Sequence, residues 1–141
     1  MFTKQLSVFL ENREGRLEEV LEALKEKSIN IMSLSLADTS DYGMLRMIVS
    51  DPEAGKEALK QREMSAMLTD VLSVKLSHRA GCLQELLEKI CAAGINIEYM
   101  YTVSAAGDDA QLIIKTSEPE KAEQILELYY ECLNHFSSPL W

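Results

Sequence analysis

The stretch LSVFLENREGRLEEVLEALKEKSINI, Leu6 to Ile31, returns 66 residues later as LSVKLSHRAGCLQELLEKICAAGINI, Leu72 to Ile97. Thirteen of these 26 positions are identical without a gap. Chance would give roughly one or two, so the chain carries an internal duplication. Beyond Ile31 the offset becomes 67: Leu45, Ser50, Pro52 and Glu53 recur as Leu112, Ser117, Pro119 and Glu120. One residue has been inserted between, and a hairpin loop is the expected place because loops tolerate insertion best. The 141 residues therefore divide into two modules, 1–69 and 70–141.

Each module reads the same way. Lys4–Leu10 alternates, with Leu6, Val8 and Leu10 on one face, the pattern of a half-buried strand. Asn12-Arg13-Glu14-Gly15 is a turn. From Arg16 the spacing changes, and Leu17, Val20, Leu21 and Leu24 form the stripe of an amphipathic helix. Ile31–Asp38 and Gly43–Ser50 read as two strands joined by a hairpin. Asp51-Pro52-Glu53 opens a second helix, with Asp as N-cap and Pro in the first turn. Ser65–Thr69 reads as a fourth strand leading straight into Val71–Leu76. The order β-α-β-β-α-β is the split βαβ, or ferredoxin-like, unit. The fold class is thus α+β, two ferredoxin-like repeats, each an antiparallel sheet with helices on one face. In the second copy a helix is expected over about Glu118–Leu133. The tail from Asn134 to Trp141 is a poor strand, because Pro139 removes a ladder donor. The last strand is therefore expected to be short, at an edge or missing.

Composition narrows the function. Fourteen Lys and Arg against 23 Asp and Glu give a net charge of −9. That disfavours nucleic acid, whose phosphates need a basic footprint, and disfavours an anionic membrane surface. No run approaches the roughly 18 apolar residues of a membrane helix. The cysteines Cys82, Cys91 and Cys132 are odd in number and form no C-x-x-C or Cys/His metal spacing. Reduced thiols in the cytoplasm are the expectation. No P-loop, G-x-G-x-x-G or G-x-S-x-G motif is present, so the reading is of a protein without cofactor, metal or catalytic apparatus.

A strand ending in Asn12-x-x-Gly15-x-Leu17, repeated as His78-x-x-Gly81-x-Leu83, resembles the ACT domain. So does the opening of the next strand, Gly94-Ile95-Asn96-Ile97 in one copy and Ser28-Ile29-Asn30-Ile31 in the other. The proline of the family's turn is replaced by Glu14 and Ala80. The resemblance covers the chain up to about Leu133. It implies a tandem regulatory protein that binds a small molecule, most often an amino acid, at a domain interface.

Physical chemistry supports that implication at the turn. Free N–H groups and the helix dipole at the start of the first helix favour a carboxylate, and Gly15 and Gly81 permit close approach of the backbone. Asn30 and Asn96 are expected beside the turn, where an amide offers one acceptor and two donors. Arg13 and Arg79 either pair with a ligand carboxylate or sit in solvent. His78 either hydrogen-bonds a ligand, making the site pH-sensitive, or is merely exposed. Cys82 stands at a helix start, where a thiol pKa can fall, while Cys91 is expected to be packed. The candidate ligand set carried by the two motifs is Asn12, Arg13, Gly15, Arg16, Leu17, Asn30 and Ile31 in one repeat. In the other it is His78, Arg79, Gly81, Cys82, Leu83, Asn96 and Ile97. The expected partners are an amino acid, a second copy of the chain as a homodimer, and a regulated enzyme that the sequence does not identify. The alternative is a dimerisation or adaptor module without a ligand.

Overall fold

The computed structural model describes residues 2–38, 41–77, 79–106 and 109–137. The chain forms two compact units, Phe2–Val71 and one beginning at Leu72. In the first unit β1 (Phe2–Glu11) is followed by α1 (Arg16–Glu26), β2 (Ile31–Asp38), β3 (Tyr42–Val49) and α2 (Pro52–Gln61). β4 (Ser65–Ser77) then runs without a break through the division, and α3 (Cys82–Ala92), β5 (Ile97–Ala106), β6 (Asp109–Thr116) and α4 (Pro119–Ser137) complete the chain.

In the first unit the strand order is β2-β3-β1-β4. β3 is antiparallel to both β1 and β2, with Leu6 opposite Met47 and Leu36 opposite Leu45. Lys4 and Asp70 form a 2.7 Å ion pair between β1 and β4. Leu6, Val8 and Leu10 all point under the helices and join Val20, Leu24, Leu45, Met47 and Leu59 in one core. The alternation in β1 and the 3.6-residue stripe of α1 are thus two halves of one buried surface. α2 comes close enough that a Cβ on Gly55 would lie 2.9 Å from Leu6 Cδ2.

The second unit repeats this with β4-β6-β5. Leu72, Val74, Leu86, Ile90, Leu112, Ile114 and Leu126 form its core. Where the first unit proceeds into β4, the second has no further strand through Ser137, because α4 continues in helix over Asn134–Ser137. Pro139 and Trp141 lie outside the described residues.

The inserted residue is not in the hairpin loop. The β2–β3 ladder keeps one register from Ser33 to Asp38, whereas the β5–β6 ladder shifts between Thr102 and Ser104. The pairs Asp38–Gly43 and Ala105–Ala110 enclose loops of equal length. The extra residue is therefore accommodated as a bulge inside β5, which keeps both flanks paired.

Candidate functional site

In both units the chain leaves the first strand through the same turn. Arg13 N–H donates to Glu11 O at 2.9 Å, and Arg79 N–H to Ser77 O at 2.9 Å. Asn12 N–H donates to Asp41 O at 3.0 Å and ties the turn to the β2–β3 hairpin. The helix then starts from a left-handed glycine, Gly15 with φ 82° and Gly81 with φ 91°. A Cβ at either would meet nothing within 4 Å, so the positive φ alone calls for glycine. Neither glycine has a side chain to cap the helix; the first helical N–H groups, of Arg16 and Cys82, donate back to Arg13 O and Arg79 O at 3.5 and 3.3 Å, and those that follow in the first turn have no intrahelical acceptor.

A cleft lies against this turn in each unit. The first is lined by Leu10, Glu11, Asn12, Arg13, Arg16, Leu17, Leu36 and Gly43 and measures about 90 Å³. The second is lined by Leu76, Ser77, Arg79, Ala80, Leu83, Thr102, Ala110 and Leu112 and measures about 400 Å³. Under the repeat, Leu10 corresponds to Leu76, Arg13 to Arg79, Leu17 to Leu83, Leu36 to Thr102 and Gly43 to Ala110. The same place in the fold is hollow twice.

The charges differ. In the first cleft Arg13 Nε donates to Glu11 Oε2 at 3.0 Å, with both side chains exposed. Arg16 Nη1 donates to Glu19 Oε2 at 2.6 Å, while Arg16 Nε is buried without a hydrogen-bond partner among the described residues. In the second unit Ser77 stands where Glu11 does, and buried Cys82 stands where Arg16 does. Arg79 makes no ion pair among the described residues. Glu85, the counterpart of Glu19, instead accepts a 3.3 Å hydrogen bond from the hydroxyl of Tyr129 on α4. Partial burial, and then the nearby Glu85 carboxylate, raise the Tyr129 phenol above its ordinary value.

The structure brings together only part of the sequence-derived set. Asn12, Arg13, Arg16 and Leu17 line one cleft, and Arg79 and Leu83 the other. His78 lies outside the described residues. Asn30 and Asn96 are not beside the turn of their own repeat, contrary to expectation. β2 runs parallel to β1 with β3 between them, and Ile31 pairs with Val49 while the turn end pairs Glu11 with Tyr42. The start of β2 is therefore a whole strand away, ~25 Å at about 3.3 Å per residue. There the Asn30 and Asn96 N–H groups donate to the hydroxyls of Ser50 and Ser117 at 2.9 and 3.1 Å. Ile31 and Ile97 pack against the two cores. Cys91 is exposed rather than packed. Leu36, Thr102, Gly43 and Ala110 escaped notice in the sequence, because a cleft wall on a neighbouring strand has no local motif.

The chain thus carries two βαββα repeats, each with a cleft at its strand-to-helix turn. The chain belongs to the ACT domain pair family, which matches residues 1–135. It is 39% identical to protein BT0572 from Bacteroides thetaiotaomicron, covering 92% of this chain and 90% of that one, with a TM-score of 0.87. The regulatory subunit of aspartate kinase from Thermus thermophilus, in a ligand-free form, is 16% identical over 91% of this chain and 96% of its own, with a TM-score of 0.65. That of Thermus flavus is 17% identical over 92% and 95%, with a TM-score of 0.62. At these identities the two aspartate kinase subunits show the fold alone. No curated protein matches the chain.

Proposed function

We propose that the protein senses an amino acid and passes the binding event to a partner enzyme, rather than catalysing a reaction itself. The observation that carries this is the cleft at the strand-to-helix turn, present in both repeats with an arginine at the same position, Arg13 or Arg79, and leucines opposite it. An arginine fork beside uncapped helix N–H groups suits a carboxylate, and leucine walls suit the body of a small molecule. Ligand binding favours whichever arrangement of the protein holds the ligand more tightly, which is how such a module regulates.

The test is a thermal-unfolding screen against the twenty amino acids. A ligand at 100 times its dissociation constant adds about 2.7 kcal/mol, a clear rise in melting temperature. If none of the twenty raises it, the sensing reading falls.

A second feature favours self-association. The edge strand β2 exposes Met32, Leu34 and Leu36, each about half accessible. The corresponding positions of β5 are Glu98, Met100 and Thr102. An apolar edge whose one charge, Asp38, stands at its end invites strand pairing, and the matching partner is the same strand of a second copy, giving a homodimer. Light scattering after gel filtration should give twice the chain mass, and Leu34→Lys should return it to one.

A further inference from the structure

We infer that only the second repeat carries a working ligand site, and that it takes a carboxylate ligand with an uncharged, apolar side chain. The inference rests on the amino-acid reading above and adds which cleft is used and what fits it. Three independent differences between the clefts point the same way.

The first is space. Leu36 fills the first cleft: its Cδ1 lies 3.4 Å from the point where a Cβ on Gly43 would sit. The counterparts are Thr102 and Ala110. The shorter threonine leaves room both for the alanine methyl and for a hollow of about 400 Å³, against about 90 Å³ in the first repeat. Ligand pockets begin at roughly 300 Å³, so only the second is large enough for an amino acid.

The second is backbone. The inserted residue bulges β5 between Thr102 and Ser104, on the wall of the larger cleft. A bulge bends its strand and re-aims the side chains next to it. β2 keeps one register from Ser33 to Asp38 and holds Leu36 in line with the first cleft.

The third is charge. Arg13 is engaged by Glu11, an anion at the mouth of the same cleft. A ligand carboxylate there would displace one carboxylate and be repelled by it. In the second repeat Ser77 replaces that glutamate, and Arg79 is left to a ligand. Apart from Thr102, the rest of the wall, Leu76, Ala80, Leu83, Ala110 and Leu112, is apolar. A cationic or anionic ligand side chain would lose its hydration against these leucines, whereas an aliphatic or aromatic one gains by burial.

The test is isothermal titration of the full chain with L-leucine, L-phenylalanine, L-lysine and L-aspartate. An apolar amino acid should bind at one molecule per chain, with lysine and aspartate weaker. Arg79→Gln should weaken it by about tenfold to a hundredfold, the loss of a charge-assisted hydrogen bond. Thr102→Leu, at an exposed position that leaves the core untouched, should close the cleft and abolish binding with an unchanged circular dichroism spectrum. Two molecules per chain, undiminished binding in both variants, or preference for lysine or aspartate would overturn this inference while leaving amino-acid sensing standing. If none of the four amino acids binds, this inference falls; sensing itself falls only if the other sixteen also leave the melting temperature unmoved.

Discussion

The two repeats share a backbone and differ in how they use it. At the turn, the first closes its cleft with Leu36 and neutralises its arginines through Glu11 and Glu19. The second replaces these with Thr102, Ser77 and the Tyr129–Glu85 hydrogen bond. The helix pairs are tied by the same position in two chemistries. Arg62 reaches from the end of α2 to Glu26 on α1 at 2.7 Å, and its counterpart Tyr129 reaches from α4 to Glu85 on α3. Thirteen identities in 26 positions hold the shape of the duplicated unit, and they include the buried Leu6, Val8, Leu10 and Ile29 and the turn Gly15. Of the residues lining the clefts, Leu10, Arg13 and Leu17 recur as Leu76, Arg79 and Leu83, whereas Glu11, Leu36 and Gly43 have changed to Ser77, Thr102 and Ala110.

The comparison can be tested by exchanging residues between equivalent positions. The largest effect belongs to the shared core. Leu6 and Leu72 are both fully buried, so Leu6→Ala and Leu72→Ala should each cost about 2–5 kcal/mol in urea unfolding. A marked cost in one repeat and almost none in the other would break the equivalence of the two cores.

A smaller exchange involves Val49 and Thr116, equivalent positions that are both buried. Among the described residues the Thr116 hydroxyl has no hydrogen-bond partner. Thr116→Val should raise stability by about 1 kcal/mol, and Val49→Thr should lower it by about 1–3 kcal/mol, since a buried unsatisfied hydroxyl carries its full desolvation cost. Loss of stability in Thr116→Val would reveal a role for the hydroxyl that packing does not explain.

Smaller again is the helix stop. Just beyond the cap of α1 the chain turns at Ser28 with φ 55°, where after α3 it turns at Gly94 with φ 76°. Both close with the same pair of backbone hydrogen bonds, Ser28 N to Lys25 O and Ile29 N to Leu24 O in the first. Ser28→Gly should therefore stabilise, and Gly94→Ser destabilise, by about 1 kcal/mol in thermal unfolding.

The smallest difference is in pH dependence. The Tyr129 phenol is held above its ordinary value of 10.0, mainly by burial and then by Glu85. The unfolded chain releases that proton first, so stability present below pH 10 should decline as pH rises through the folded value. Ultraviolet titration should show a tyrosine ionising above pH 10 in the folded protein, and Tyr129→Phe should remove that step. The first repeat has arginine at this position, which holds its proton throughout this range.

Local periodicity carried most of the fold. Alternation at Leu6, Val8 and Leu10, the helical stripe from Leu17, and the Asp51-Pro52 start each depend on neighbours a few residues away, and the Asp51 carboxylate does cap Ala54 N–H at 3.2 Å. The turn half of the candidate site was equally legible, because Arg13, Gly15 and Arg16 are consecutive with the strand end. The wall contributed by Leu36 and Thr102 was not, since it comes from a strand two elements later. Asn30 and Asn96 were misplaced for a related reason. A motif in sequence says where a helix stops, but the return path of α1 along the sheet decides which end of it the next strand begins.

The sequence by itself determined the duplication, the element order and the glycines at the turns, all properties of local spacing and backbone conformation. Only the tertiary structure decided where the inserted residue went, into a β5 bulge rather than a loop, because that choice depends on keeping both flanks of a ladder paired. It also decided that the two copies of one motif enclose different volumes, since a cavity is set by side chains that meet across strands and not by those adjacent in the chain.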